Sequence, residues 1–334
     1  MILHTQKAVH LSTLRRESKM VALLRGSEIE VKAVEWLWKP MIPFGDVTIV
    51  QGDGGDGKTT MMLTIAAKLS KGILPPSLED GLLVDAPTIA PASTIYLTTE
   101  NKAGSVAVPK FEKAGGDKYF IFFNNELEQH MTLTKEELTE AIDITKARLI
   151  VIDPLQAFLP NGVNMGNMVQ MRNIISMVTN VAEEKNCAVV LIGHLNKNER
   201  GRAIHRGLGS VDIAAAVRSI LLVEADKKDE TIRYVLNIKS NFDGAEYARV
   251  RLKLDEEHRL SFQEAARDKE NTQVSHAEFM LLEMLQNGAL PVAEINKIFQ
   301  KEGISSKTAG RARQRIGAIP THKGRTVMWE LPLL

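Results

Sequence analysis

The chain has 334 residues, 44% hydrophobic and 25% charged, with a net charge of +1. That is the composition of an ordinary soluble globular protein, long enough for one large domain and a small one. Near-neutrality excludes a nucleic-acid partner announced by bulk charge, so any such signal has to be local.

Cys187 is the only cysteine, which excludes an internal disulfide and suits a reducing cytoplasm. No apolar run reaches the ~18 residues of a membrane span. Residues 1–29 are read as an N-terminal extension without the continuous apolar core of a signal peptide. A cytoplasmic protein without membrane contact is expected.

From residue 45 to 265 the chain alternates strand and helix patterns, which predicts an α/β fold with a mostly parallel sheet. Strands are predicted at 47–51, 94–98, 119–123, 149–152, 188–192, 220–223, 232–238 and 249–254, the last few antiparallel. A helix over 168–184 places Met168, Met171, Ile175, Val178 and Ala182 on one stripe, read as core. Residues 266–273 are read as a linker, and 274–334 as a separate small unit.

The first strand runs into Gly52-Asp53-Gly54-Gly55-Asp56-Gly57-Lys58-Thr59-Thr60 and then into a helical pattern. This fits the phosphate-binding loop G-x-x-x-x-G-K-[ST] in its required strand–loop–helix setting. Glycines let the backbone wrap the phosphates, and the helix start offers free N–H groups and a positive dipole end. Lys58 is expected to reach the β and γ phosphates of ATP, and Thr59 to place its hydroxyl on Mg²⁺. Asp53 and Asp56 are unusual there and weaken the local positive field.

Three further strands end on polar groups at the edge where open α/β sheets bind ligands. Leu149-Ile150-Val151-Ile152 ends on Asp153, a carboxylate for Mg²⁺. The strand at 94–98 leads to Glu100, the candidate for polarising the attacking water. The strand at 188–192 leads to His194, either a γ-phosphate sensor or a structural histidine.

Taken in order, GDGGDGKTT, YLTTEN, LIVIDP, VVLIGHLNK, RGLGS and IKSNFDG resemble the RecA-like ATPases. Among these the chain is most similar to the plasmid RepA hexameric helicase and related phage and mobile-element ATPases, over residues 30–255. The resemblance implies a RecA-like ATPase domain over 30–265, Glu100 as catalytic base, and a homo-oligomeric ring, a hexamer. It also implies an arginine that acts on a neighbour's nucleotide, matched by Arg218. Other subgroups use a Lys-x-Arg pair, where this chain has Lys239-Ser240-Asn241, so Lys239 is left in support.

Two segments carry the local basic signal. Lys197, Arg200, Arg202 and Arg206 face one acid, Glu199, in a loop whose RecA-like equivalent lines a channel for single-stranded DNA. Beyond the linker, three helical patterns and a hairpin resemble a winged helix-turn-helix domain. From Lys301 to Arg325 it has seven Lys or Arg and one acid. Lys307, Arg311, Arg313, Arg315, Lys323 and Arg325 are the candidates for contact with duplex DNA; a protein-interaction role stays open. The functional expectation is a DNA-dependent ATPase motor, a helicase or helicase-like protein of a mobile element. A non-unwinding loader or regulator that assembles on DNA with ATP is the alternative, and a ring ATPase acting on proteins is the third.

Overall fold

A computed structural model describes residues 25–332 except 32, 80, 101, 125–130, 166, 195–215, 227, 243–247, 258, 268–273, 275, 276, 279, 283, 286, 287 and 325. The chain divides into two compact units, Met1–Val34 and Glu35–Leu334. In the first, a 3-10 turn at Gly26–Glu28 is closed by the Glu28 carboxylate, which accepts the Arg25 backbone N–H at 3.0 Å.

The second unit opens with a ribbon of β1 (Trp36–Trp38) and β2 (Ile42–Pro43). A small hairpin, β4 (Ser77–Glu79) and β5 (Leu82–Val84), follows helix α1 (Lys58–Leu69). Among the described residues, nine strands form one sheet in the order β13-β12-β11-β10-β3-β9-β8-β6-β7. They are β3 (Val47–Gly52), β6 (Ser93–Thr98), β7 (Ile121–Phe123), β8 (Ala147–Asp153), β9 (Ala188–His194), β10 (Ser219–Ala225), β11 (Ile232–Ser240), β12 (Ala248–Leu254) and β13 (Leu260–Arg267). From β10 to β7 every neighbouring pair is parallel. The strands β11 to β13 add an antiparallel extension.

The parallel strands are apolar on both faces because both are covered. Val50, Tyr96, Val151 and Val190 face the layer that contains α1 and α2 (Val108–Lys113). Ile49, Ile95, Ile152 and Leu191 face the other, with α3 (Lys135–Thr145) and α4 (Met168–Lys185). Met171, Ile175, Val178 and Ala182 of α4 are all buried there, as the stripe predicts. Met168 begins α4, but its side chain lies outside the described residues.

Strand β13 was not expected. Its residues Ala266 and Arg267 pair with Arg249 and Ala248, so the polar stretch read as a linker from 266 starts inside the sheet. Its side-chain polarity hides a strand because an edge strand with one solvated face needs few apolar residues. Strand β7 is shorter than predicted, since Lys118–Phe120 form a 3-10 turn capped by the Asp117 carboxylate, which accepts from the Tyr119 N–H.

Cys187 is fully buried at the start of β9, and burial pushes its thiol up to about 12. The thiolate is the reactive form. Native protein at pH 8 is therefore expected to resist labelling by a maleimide-type or disulfide reagent, whereas denaturant should expose one thiol per chain. Stoichiometric labelling without denaturant would contradict this packing.

Toward the C-terminus, helical residues between 274 and 285 precede β14 (Leu290–Pro291). Then follow α5 (Val292–Lys301), α6 (Ser306–Ile316) and the hairpin β15 (Ile319–Lys323)–β16 (Thr326–Glu330). The three strands pair as β14-β16-β15. The Ser305 hydroxyl caps α6 by accepting the Thr308 N–H at 3.1 Å, and Gly317 ends it in the left-handed conformation.

Candidate functional site

Strand register aligns the polar strand ends. Gly52 of β3 pairs with His194 of β9, and Thr98 of β6 pairs with Asp153 of β8. One edge of the sheet therefore carries the glycine loop, His194, Asp153 and, just past β6, Glu100. The side chain of His194 lies outside the described residues; its backbone position beside Gly52 is what the structure gives.

Asp153 stands two strands from Gly52, roughly 10 Å away at ordinary strand spacing. Helix α1 bridges that gap. It starts at Lys58, with Gly57 as its N-cap at a φ of 91°, a left-handed conformation that glycine adopts freely. The first turn then brings the Thr59 hydroxyl to Asp153, donating to Oδ2 at 3.2 Å. Asp153 is fully buried, and it continues the alternation of Leu149 and Val151 on the sheet face under α1.

Lys58 is 4% exposed. Its Nζ donates to the carbonyls of Gly52 and Asp53, both at 2.8 Å. Burial lowers its pKa, while Asp56, Asp153, Asp53 and Glu100 each act to raise it. The result is a desolvated cation under the influence of four carboxylates, with hydrogen bonds, among the described residues, to loop backbone.

Asp56 has a role that its position in the motif does not reveal. Its Oδ2 accepts the Asp53 N–H and its Oδ1 accepts the Ala225 N–H of β10. The carboxylate clasps the loop onto the sheet, and burial raises its pKa. Asp53 carries the carbonyl that anchors Lys58, so the two loop acids are structural as well as electrostatic. Gly54 and Gly55 fill the turn, with Gly55 at a φ of 89°. The Thr60 carbonyl accepts the Thr64 hydroxyl inside α1.

Gly52 is required for a different reason from its neighbours. A Cβ there would stand 2.4 Å from the Val223 carbonyl oxygen of β10. The Gly52→Ala variant is expected to lose about 1–3 kcal/mol of stability, because strand backbone cannot yield as a side chain does. Urea denaturation with and without nucleotide measures both consequences: a lower midpoint and loss of the nucleotide-induced shift.

Glu100 is exposed, and its backbone N–H donates to the Thr98 hydroxyl at 3.3 Å. The end of β6 is tied on both sides. Thr98 N–H donates to Asn124 Oδ1 at 2.8 Å, and Thr99 N–H donates to the Asp153 carbonyl at 3.3 Å. Asn124 lies in no motif, and the motif that begins at Tyr96 assigns it no role, although its phenol donates to Asp153 Oδ2 at 3.1 Å.

The oxygens of Thr59 and Asp153 are hard donors in contact with one another, which suits Mg²⁺. Among the described residues no group of three or more His, Cys, Asp or Glu converges as a metal cage.

Arg218 is not at this edge. It precedes β10, whose Ser219 pairs with Thr48, so it lies level with the start of β3. About six residues of strand, roughly 20 Å, separate it from the loop of its own chain. Its Nε is 3.6 Å from Asp46 Oδ2. Burial raises the Asp46 pKa, opposed by the Val47 N–H and then by Arg218. Lys239 pairs with Ile220, and Asn241 N–H donates to the Arg218 carbonyl at 2.9 Å. The two cations considered for action on a neighbour's nucleotide thus share the opposite edge.

The basic residues of the C-terminal segment divide into two groups. Arg315 Nη1 lies 3.2 Å from Oε1 of Glu278, a carboxylate whose side chain is 5% exposed. Arg313 donates to the Ala318 carbonyl at 3.1 Å and covers the Trp329 ring at 5.7 Å. Both guanidinium groups are engaged in contacts between the helices and the hairpin, and both stay partly exposed. Lys307, Arg311 and Lys323 are exposed. Arg325 and the loop residues Lys197, Arg200, Arg202 and Arg206 lie outside the described residues.

A family model described as an AAA domain matches residues 13–200, more than half of the chain. The DNA repair protein RadA of Listeria monocytogenes is 24% identical over 157 residues, 46% of this chain and 28% of that protein. RadA of Mycobacterium tuberculosis is 22% identical over 205 residues, 60% of this chain and 36% of its own. RadA of Haemophilus influenzae is 22% identical over 191 residues, 57% and 35% respectively. The chain spans roughly a third of the length of the curated relatives it matches. The loop, the buried aspartate and the parallel sheet between them agree with the family match: the chain belongs to this AAA domain family, a RecA-like P-loop ATPase.

Proposed function

We propose that the protein is a ring-forming ATPase that acts on single-stranded DNA, a helicase or helicase-like motor of a mobile element. The observation that carries this reading is the separation of roles between two edges of one sheet. One edge gathers Lys58, Thr59, Asp153 and Glu100 around the glycine loop, and the other presents Arg218 and Lys239. A nucleotide held at the first edge is complete only when a neighbouring copy supplies the second, which is the logic of a ring. Six subunits is the number the RepA resemblance implies.

In this reading Lys58 leaves the Gly52 and Asp53 carbonyls for the β and γ phosphates. Thr59 and Asp153 would hold Mg²⁺, which when bound would neutralise charge on the phosphates. Glu100 accepts a proton from the attacking water as the water oxygen bonds the γ phosphorus and the bond to the β-phosphate oxygen breaks. His194, beside Gly52, reports the γ phosphate to the basic loop that follows it. Arg218 of the neighbour stabilises the charge that develops in transfer.

DNA as the partner is supported by the similarity to proteins named as DNA repair proteins and by the two basic segments. The C-terminal segment is read as a winged helix. Its order of helix, β14, α5, α6 and hairpin, with β14 paired to β16, supports that reading. Lys307, Arg311 and Lys323 are its candidates for duplex phosphates, with α6 as the helix offered to a groove. Strand displacement from a forked duplex, measured with ATP and with a non-hydrolysable analogue, tests the motor. Displacement only with ATP supports it. DNA binding without displacement would replace it by the loader reading.

A further inference from the structure

We infer that Tyr96 is a positioning residue for the metal carboxylate, fixing Asp153 through a hydrogen bond that outlasts nucleotide binding. The inference rests on the reading of Asp153 as the Mg²⁺ carboxylate.

Tyr96 is fully buried on β6, on the sheet face under α1. It pairs in register with Val151, two residues before Asp153. Two residues of strand span roughly 6.6 Å, about the reach of a tyrosine side chain, and the phenol meets Asp153 Oδ2 at 3.1 Å. Phe123 packs against the ring at 5.9 Å between centroids, which fixes its direction. The hydroxyl is buried with the ring, and the Asp153 carboxylate is the acceptor held within its reach.

Two hydroxyls converge on the same oxygen, since Thr59 donates to Oδ2 at 3.2 Å as well. The two are not equivalent. Thr59 sits on the loop helix and is the group that would turn to a bound metal. Tyr96 is locked in the core, on a strand rather than on the loop helix. When Thr59 leaves, Tyr96 alone of the pair continues to satisfy Oδ2 of a fully buried carboxylate. It thereby keeps the carboxylate in one orientation. Partners behind a metal ligand commonly set 10–100-fold in metal affinity or activity.

The test is Tyr96→Phe, which removes one oxygen and leaves the packed ring. Nucleotide-induced thermal stabilisation is followed with a non-hydrolysable ATP analogue, in EDTA and across a Mg²⁺ titration. The expected result is a rise of about tenfold in the Mg²⁺ midpoint, with stabilisation by the analogue in EDTA unchanged. A lower melting temperature with an unmoved Mg²⁺ midpoint would overturn the inference, because it would make Tyr96 structural only. Asp153→Asn is measured beside it. If Asp153→Asn leaves the Mg²⁺ midpoint in place, the reading of Asp153 itself fails. If Asp153→Asn moves it and Tyr96→Phe does not, only the role of Tyr96 falls.

Discussion

Lys58→Ala is expected to lower kcat/KM for ATP hydrolysis by about 100- to 1,000-fold, the range for removing one preorganised donor from developing negative charge. The side chain is the one cation at the start of α1 that the loop itself supplies, and it is only 4% exposed. Its present partners are backbone carbonyls of Gly52 and Asp53, which are poor competitors for a triphosphate. Burial lowers its pKa and four neighbouring carboxylates only partly oppose that shift, so the ammonium is held desolvated where phosphate would meet it. The same substitution removes two hydrogen bonds from the resting loop, at a cost of about 1–3 kcal/mol. Thermal unfolding without nucleotide measures that part separately. Hydrolysis within a few-fold of the unsubstituted protein would mean that the loop does not bind phosphate as proposed.

Glu100→Gln is expected to reduce kcat by about 100- to 10,000-fold while leaving nucleotide affinity nearly unchanged. Glutamine keeps the shape and the hydrogen-bonding reach but cannot take a proton. Glu100 is well placed for this split. It lies just past the end of β6, whose Thr98 and Thr99 are tied to Asn124 and Asp153, so its backbone is held beside Asp153. It is exposed, so its substitution should cost little stability. Equilibrium binding of a fluorescent nucleotide together with steady-state hydrolysis separates the two effects. Equal losses in both would argue that Glu100 shapes the pocket instead.

Motifs that depend on local backbone chemistry were legible in the chain. The glycine loop, the apolar strand ending on Asp153 and the stripe of α4 are each set by residues close in sequence. So is the order of helices and hairpin after residue 274, where Ser305 and Gly317 bracket α6. What escaped depends on residues far apart. Tyr96 and Asp153 are 57 positions apart, and β6 is buried on both faces, so no alternation marks which side chains reach the site. Asp56 clasps β10 across 169 positions. The basic stretch of α6 looked uniform, but tertiary packing assigns Arg313 to Trp329 and Arg315 to Glu278. Arg218 illustrates the reverse case, since the resemblance implied action on a neighbour and the sheet register puts it at the edge away from its own loop.

The most direct measurement is the steady-state ATPase rate with and without single-stranded DNA, with Glu100→Gln as control. The account predicts strong stimulation by DNA that disappears in the variant. A rate indifferent to DNA, in protein that neither binds single strands nor loses activity with Glu100→Gln, would contradict it.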